Sequence, residues 1–292
     1  MQSQNLSRFK GNGWKNFITI VRAVIMGFLV STVGIVVWSF LLLKIPPPWS
    51  VPPMIFFLWA YWKFFNGSWG WKNTAASRFI YFRRGKINAQ TWKWGLTGAA
   101  SFVLFVQASF VVTFRIQAFP ESAFTGEYKM LENMPWLAAW IMLIMSSVVA
   151  GICEETGFRG YLQVPLERKW GPAPAIAITS LIFTLIHLSK SWAHPIVPHI
   201  FFASVLLGML AYRTGSLIPG IIGHSLLDIL DYSIWWTHLT GGFKQRTIFE
   251  TGIDLHFILW ILLLLLGLGL FFRSMAVLKK KKRVMETTKH TR

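Results

Sequence analysis

The chain has 292 residues, of which 54% are hydrophobic, 16% aromatic and only 14% charged, too few charges to coat a water-soluble domain. The formal net charge of +18 does not point to nucleic acid, because the Lys and Arg lie between apolar runs and at the chain ends, with no basic face on a soluble domain. The one cysteine, Cys153, excludes an internal disulfide framework and reads as small-residue packing.

A basic lead containing Arg8, Lys10, Lys15 and Arg22 precedes an apolar stretch that ends at Leu43. That stretch is longer than a signal-peptide core and no small-x-small cleavage pattern follows, so it reads as an uncleaved transmembrane helix over 20–43. Apolar length predicts further spans over 51–66, 94–117, 136–167, 173–190, 195–213, 216–235 and 255–277. Pro46, Pro47, Pro48, Pro52 and Pro53 break the first connection, and Gly171, Pro172 and Pro174 separate the fourth and fifth spans. The predicted fold class is all-α: a polytopic bundle of about eight transmembrane helices in a single integral membrane domain, residues 1–292. Within it, 136–235 is the expected catalytic core and 278–292 a basic tail, whose Lys279–Arg283 run meets anionic headgroups.

Eight spans with the N-terminus inside put 23 of the 29 Lys and Arg in inside segments, leaving outside Lys44, Arg115, Lys129, Lys190, Lys244 and Arg246. The positive-inside rule then predicts that both termini are cytoplasmic. The acids Glu121, Glu127, Glu132, Glu250 and Asp254 fall outside. The expected location is the plasma or inner membrane if the chain is bacterial.

Ionisable residues within spans cost several kcal/mol unless paired or facing a polar cavity. Here they are Glu154, Glu155 and Arg159 in the fourth span, His187 in the fifth, His199 in the sixth, and His224, Asp228 and Asp231 in the seventh. At about 1.5 Å of rise per residue, Glu154, Glu155 and His187 lie roughly 20 Å from the cytoplasmic ends of their helices, and His224 and Asp228 roughly 12 to 20 Å. Three helices thus bring polar groups to a similar depth, which predicts one buried polar site open to the cytoplasmic side. The bland alternative is interhelical hydrogen bonding, which suits a lone histidine better than two Glu, two His and an Asp at one level. Glu155 and Arg159, four apart, share a face and can form an ion pair, leaving Glu154, about 100° around the helix, available for chemistry. Gly157 and Gly160 can admit a neighbouring helix or permit local unwinding. His199 reads as structural or pore-lining and Asp231 as near the outer interface; neither is assigned to the site.

Three motifs, E-E-x-x-x-R at Glu154–Arg159, F-x-x-x-H at Phe183–His187 and H-x-x-x-D at His224–Asp228, resemble those of the CPBP intramembrane endopeptidases, also called Abi or CaaX-protease-like proteins, a family that includes the Ras-converting CaaX endopeptidase. The resemblance covers about 75 residues and does not extend to the first 130. It implies an eight-helix membrane fold and hydrolysis of a peptide bond in a cytoplasm-accessible cavity. It further implies that Glu154 with His187 activates water, that His224 with Asp228 stabilises the oxyanion, and that Glu155 and Arg159 hold the local frame. Asp228 stands where the family more often has Asn. An ionised Asp donates no hydrogen bond, so Asp228 must be protonated or must orient His224.

The expectation is that no cofactor is needed, with a zinc ion held by His187, His224 and Glu154 as the alternative, because the family was first classed as metalloproteases; H-E-x-x-H is absent. Expected partners are a peptide or protein substrate, membrane-associated or prenylated, and the lipid bilayer. Two other function classes fit the composition: a non-catalytic scaffold or regulator of the same fold, and an ion-coupled transporter, which the lack of paired inverted repeats disfavours.

Overall fold

The computed structural model describes residues 13–85, 87–118, 131, 133–190, 196–237 and 246–290. Among them the regular elements are α1 (Gly13–Lys44), α2 (Val51–Phe65), α3 (Lys72–Tyr81), α4 (Ala89–Ile116), α5 (Trp136–Glu154), a π-helix (Glu155–Leu162), α6 (Gln163–Trp170), α7 (Pro172–His187), α8 (Val197–Thr214), α9 (Ile218–Thr237), α10 (Ile248–Thr251) and α11 (Leu255–His290). No strand occurs among the described residues, as expected of an all-α membrane bundle.

Five helices are long and apolar enough to cross a membrane: α1, α4, the continuous α5–π–α6 rod, α8 and α11. Helices α2 and α7, with 15 and 16 residues, reach only about 22 to 24 Å, short of a hydrocarbon core of about 30 Å. Helix α1 begins at Gly13, ahead of the expected residue 20, and α11 runs on to His290 through the segment read as a tail. Apolar-run reading passes over α3, which is too polar to register as a span, and over the one-turn α10.

Apolar surface identifies the solvent this bundle is built for. Leu262, Leu265 and Leu266 on α11 and Val36 and Phe40 on α1 are each more than half exposed, in rows too long for a water-facing surface and suited to lipid tails. Inside, Phe102, Phe158, Leu162, Leu166, Phe183, Leu210 and Phe271 form the main core. A second cluster, with Val30, Trp38, Met54, Tyr61, Val149 and Cys153, joins α1 and α2 to α5.

Contacts define two ends of the bundle. At one, Lys169 Nζ donates to Thr19 Oγ1 at 2.8 Å and Arg83 pairs with Glu167 at 2.6 Å. At the other, Trp38 Nε1 donates to Ser146 Oγ at 2.8 Å, His199 Nε2 lies 2.9 Å from Thr113 Oγ1, and Arg115 pairs with Asp254 at 2.9 Å. The Arg115 hydrogen bond holds the Asp254 carboxyl below its ordinary range. The Lys and Arg count also uses Arg8, Lys10, Lys86, Lys129, Lys244 and Arg292, and the acids assigned outside include Glu121, Glu127 and Glu132; all of these lie outside the described residues.

The two glycines after the paired Glu perform both roles open to them. The helix is rewound into a π segment from Glu155 to Leu162, and α1 crosses it at backbone contact. A Cβ on Gly157 would sit 2.5 Å from the Gly27 carbonyl and 2.8 Å from the Ser31 nitrogen, and one on Gly160 would sit 2.7 Å from the Tyr81 carbonyl. Neither obstruction is the free end of a side chain that can swing away. Gly157→Ala is therefore expected to destabilise the protein by about 1–3 kcal/mol through overpacking, read as a lower unfolding temperature in detergent; an unchanged temperature would refute the α1 crossing at this residue.

Candidate active site

Glu154 ends α5 and Glu155 opens the π-helix, so the helix changes winding between the two carboxylates. Hydrogen bonds of a π segment skip five residues rather than four, a local widening often found at functional sites. Arg159, also in that segment, is fully buried with Glu155, and its Nη1 lies 2.9 Å from Glu155 Oε1. Burying two such charges is tolerable only if each is matched. The guanidinium is held further by Nη2 donating to Ser204 Oγ on α8 at 3.0 Å, and it lies over the Phe183 ring at 4.6 Å.

The Glu155 carboxylate turns its other contact to α9. His224 Nδ1 lies 2.9 Å from Glu155 Oε1, and since an ionised carboxylate only accepts, Nδ1 carries the hydrogen and donates it. Gly220, one turn before His224, makes room: a Cβ there would stand 3.0 Å from Glu155 Oε2. The far ring nitrogen, His224 Nε2, is 3.8 Å from Glu154 Oε2 and 3.8 Å from Asp228 Oδ2. Those distances are longer than hydrogen bonds. Glu154 Oε2 is buried and has no hydrogen-bond partner among the described residues.

His187 stands at the end of α7. Its Nδ1 is 2.7 Å from the Phe183 carbonyl, an acceptor, so the hydrogen sits on Nδ1 and the lone pair on Nε2 in the neutral ring. Phe183 lies against His187 in a tilted arrangement with ring centroids 4.4 Å apart and meets the His224 ring edge-on at 6.3 Å. A cavity of about 110 Å³ is lined by His187, His199, His224, Asp228 and Asp231 together with apolar residues of α4, α7, α8 and α9.

The expected constellation is thus gathered in large part. Glu154, Glu155, Arg159, His224 and Asp228 form one connected group, with His187 on the same cavity wall as His224 and Asp228. Two details differ from the sequence reading. Glu155 contacts His224 as well as Arg159, and the described ionic neighbour of Glu154 is His224 rather than His187. His199 and Asp231, which the sequence reading leaves out of the site, both line the cavity. Sequence reading leaves three supporting residues unassigned. Phe183 is visible only as a motif position, Gly220 only as a glycine one turn before a histidine, and Ser204 carries no signal at all. Among the described residues no group of three or more His, Cys, Asp or Glu gathers closely enough to hold a metal ion, so the set His187, His224 and Glu154 does not fit zinc in this arrangement.

Comparison with protein families places this geometry. Residues 135–230 match the family model described as type II CAAX prenyl endopeptidase Rce1-like. The comparison with curated proteins gave no match, and neither did that with solved structures. All three motifs, the π-helix and the cavity residues of α7, α8 and α9 other than Asp231 lie within the matched stretch, and the match supports the CAAX protease (CPBP) family.

Proposed function

We propose that the protein is an intramembrane endopeptidase that hydrolyses a peptide bond of a membrane-associated or prenylated substrate in the cavity bounded by α4, α7, α8 and α9. The observation that carries this reading is the buried Arg159–Glu155–His224 chain, with a Glu154 oxygen beside it that accepts no hydrogen bond among the described residues. A carboxylate oxygen whose lone pairs are not committed to a donor is suited to accept a proton from water.

In the proposed reaction a water lies against Glu154, with the lone pair of His187 Nε2 accepting its second hydrogen. Glu154 takes one proton, the water oxygen bonds to the carbonyl carbon of the peptide, and the carbonyl oxygen becomes the oxyanion. His224, its Nδ1 hydrogen committed to Glu155, donates from a protonated Nε2, and a protonated Asp228 adds a second donor. Glu154 then returns its proton to the amide nitrogen, the oxyanion re-forms the carbonyl as the C–N bond breaks with its electron pair going to nitrogen, and the carboxylic acid and amine so released exchange the remaining water proton to leave as a carboxylate and an ammonium. Glu155 and Arg159 act as positioning residues that fix the His224 ring. No step is routed through a metal.

Glu154→Gln is expected to lose at least about 100-fold in turnover while still folding, since only the basic carboxylate is removed; cleavage of a peptide library, with and without a C-terminal prenylcysteine, measures this, and near-wild-type cleavage by the folded variant would reject the assignment. His187→Ala should be comparably inactive, and stoichiometric zinc in the wild type that is lost from this variant would overturn the metal-free route.

Glu155→Gln and Arg159→Leu each leave a buried charge unmatched, so each should lose about 3–5 kcal/mol of stability, read as reduced yield together with reduced activity. Full yield with clean loss of turnover in Glu155→Gln would instead move the chemical role to Glu155.

Asp228→Asn keeps shape and retains a donor, so activity is expected to persist and to extend to higher pH, whereas Asp228→Leu should lose about 100-fold. Turnover across pH for the three proteins decides this, and a folded but inactive Asp228→Asn would reject the donor role.

Access to the cavity is proposed to be from the cytoplasm, with both termini on that side, supported by the Lys and Arg distribution. Reporter fusions at the two ends are expected to report cytoplasmic locations, and an external C-terminus would reverse the assignment for α11.

A further inference from the structure

A second cavity, of about 460 Å³, lies away from the polar site among α1, α2, α3 and the π–α6 rod. It is the larger of the two and within the usual range for a small-molecule site. Two guanidinium groups line it, Arg22 of α1 and Arg78 of α3, and no acid does. Arg78 is buried, with its Nη atoms donating to the carbonyls of Phe64, Trp69 and Trp71 and its charge over the Phe64 ring. These contacts satisfy hydrogens but supply no countercharge. Arg22 has no hydrogen-bond or ion-pair partner among the described residues. It lies near the start of the 29-residue candidate span Asn16–Lys44, which is longer than a hydrocarbon core needs, on the side of α1 where Ile18, Val21, Ile25 and Met26 are also exposed.

An arginine near the end of a span, beside lipid-facing side chains, stands at the level of the headgroups and attracts anionic ones. Hydroxyls of Thr74 and Ser77 on α3 line the same cavity and can donate to an anion's oxygens. From Arg22 an apolar trough, formed by Phe17, Ile18, Val21, Ile25 and Met26, continues along the outside of α1. The site is thus polar and cationic at its head and apolar along its tail. A soluble anion uses only the first part, whereas an amphiphile uses both.

We infer that this cavity binds one anionic phospholipid, with the phosphate against Arg22, the Thr74 and Ser77 hydroxyls and the field of Arg78, and an acyl chain along the α1 trough. Basic pockets between transmembrane helices bind anionic headgroups in this manner. Tyr161 and Pro165, which lie on the rod carrying Glu155 and Arg159, form part of the wall, so the bound lipid packs against the helix that shapes the polar site. The inference does not depend on the proteolytic reading, and its test measures no cleavage.

The test is lipid retention by the purified full chain. Wild type, Arg22→Gln, Ser77→Trp and Lys93→Gln are reconstituted in phosphatidylcholine vesicles containing phosphatidylglycerol as a minor component, re-extracted, and their co-purifying lipid measured by mass spectrometry. Ser77 is at an exposed helix position, so Trp there fills the cavity without altering charge, and Lys93→Gln removes one exposed charge elsewhere. Wild type and Lys93→Gln should retain about one phosphatidylglycerol per chain. Arg22→Gln should fall about fivefold, the worth of one basic residue against an anionic headgroup, and Ser77→Trp should fall similarly. Equal retention in all four proteins, or equal retention of phosphatidylcholine, would overturn the site, as would an effect of Arg22→Gln with none of Ser77→Trp, which describes an arginine reaching the bulk headgroup layer. Displacement by inorganic phosphate would overturn the lipid in favour of a soluble anion.

Discussion

The buried contact between Arg159 and Glu155 is the constraint around which the interior is arranged. Two full charges without solvent access must be matched where they stand, since leaving either alone costs several kcal/mol. The pair itself is made within one helix, but it leaves hydrogens and lone pairs over. His224 of α9 takes one, Ser204 of α8 another, and the ring of Phe183 on α7 covers the guanidinium face. Three helices are thereby held to the π segment at one depth. The polar site follows from this bracing, because the same contact that satisfies Glu155 sets the angle of the His224 ring toward Glu154 and Asp228.

Close backbone approach is the second requirement, and glycine supplies it. Gly157 lets α1 rest on the π segment, and Gly220 lets α9 stand against the Glu155 carboxylate. A bundle in lipid gains no hydrophobic driving force from pressing its helices together and relies on packing and interhelical hydrogen bonds instead. Small residues at the crossings make that packing close enough for the polar groups to meet. The outer surface follows the opposite rule, with the leucines of α11 and the apolar side chains of α1 turned outward.

Much of this was legible in the sequence because charge is so rare in it. In a chain with 14% charged residues, two adjacent Glu followed by an Arg inside an apolar run stand out, and the His at similar depth on two later helices pointed to a shared site. The ion pair within the helix followed from a spacing of four. The contact of Glu155 with His224 did not, since a single-helix wheel cannot say which neighbouring helix offers a partner. Phe183 was a motif letter whose role emerges only when α7 is packed beside α5. Ser204 is one hydroxyl in an apolar run and has no one-dimensional signature. Helix α3 escaped because an apolar-run search has no term for a polar helix that lies across the ends of others.

The π segment has a further consequence for the length of the chain. Its wider turns place α5 and α6 out of phase on any single helical wheel, so the rod works as a fixed rotary offset between its two halves. A π turn takes up one residue more than an α turn, so deleting one residue between Glu155 and Leu162 would let the segment rewind as plain α-helix with the downstream half close to its present orientation, whereas deleting one from α5 would swing that half by about 100°. In the second case Leu166, now fully buried, would leave the core, and Lys169 would move off Thr19. The π segment is therefore where the length of the rod and its rotation are reconciled, and a deletion elsewhere in the rod acts as a twist rather than as a change of loop length.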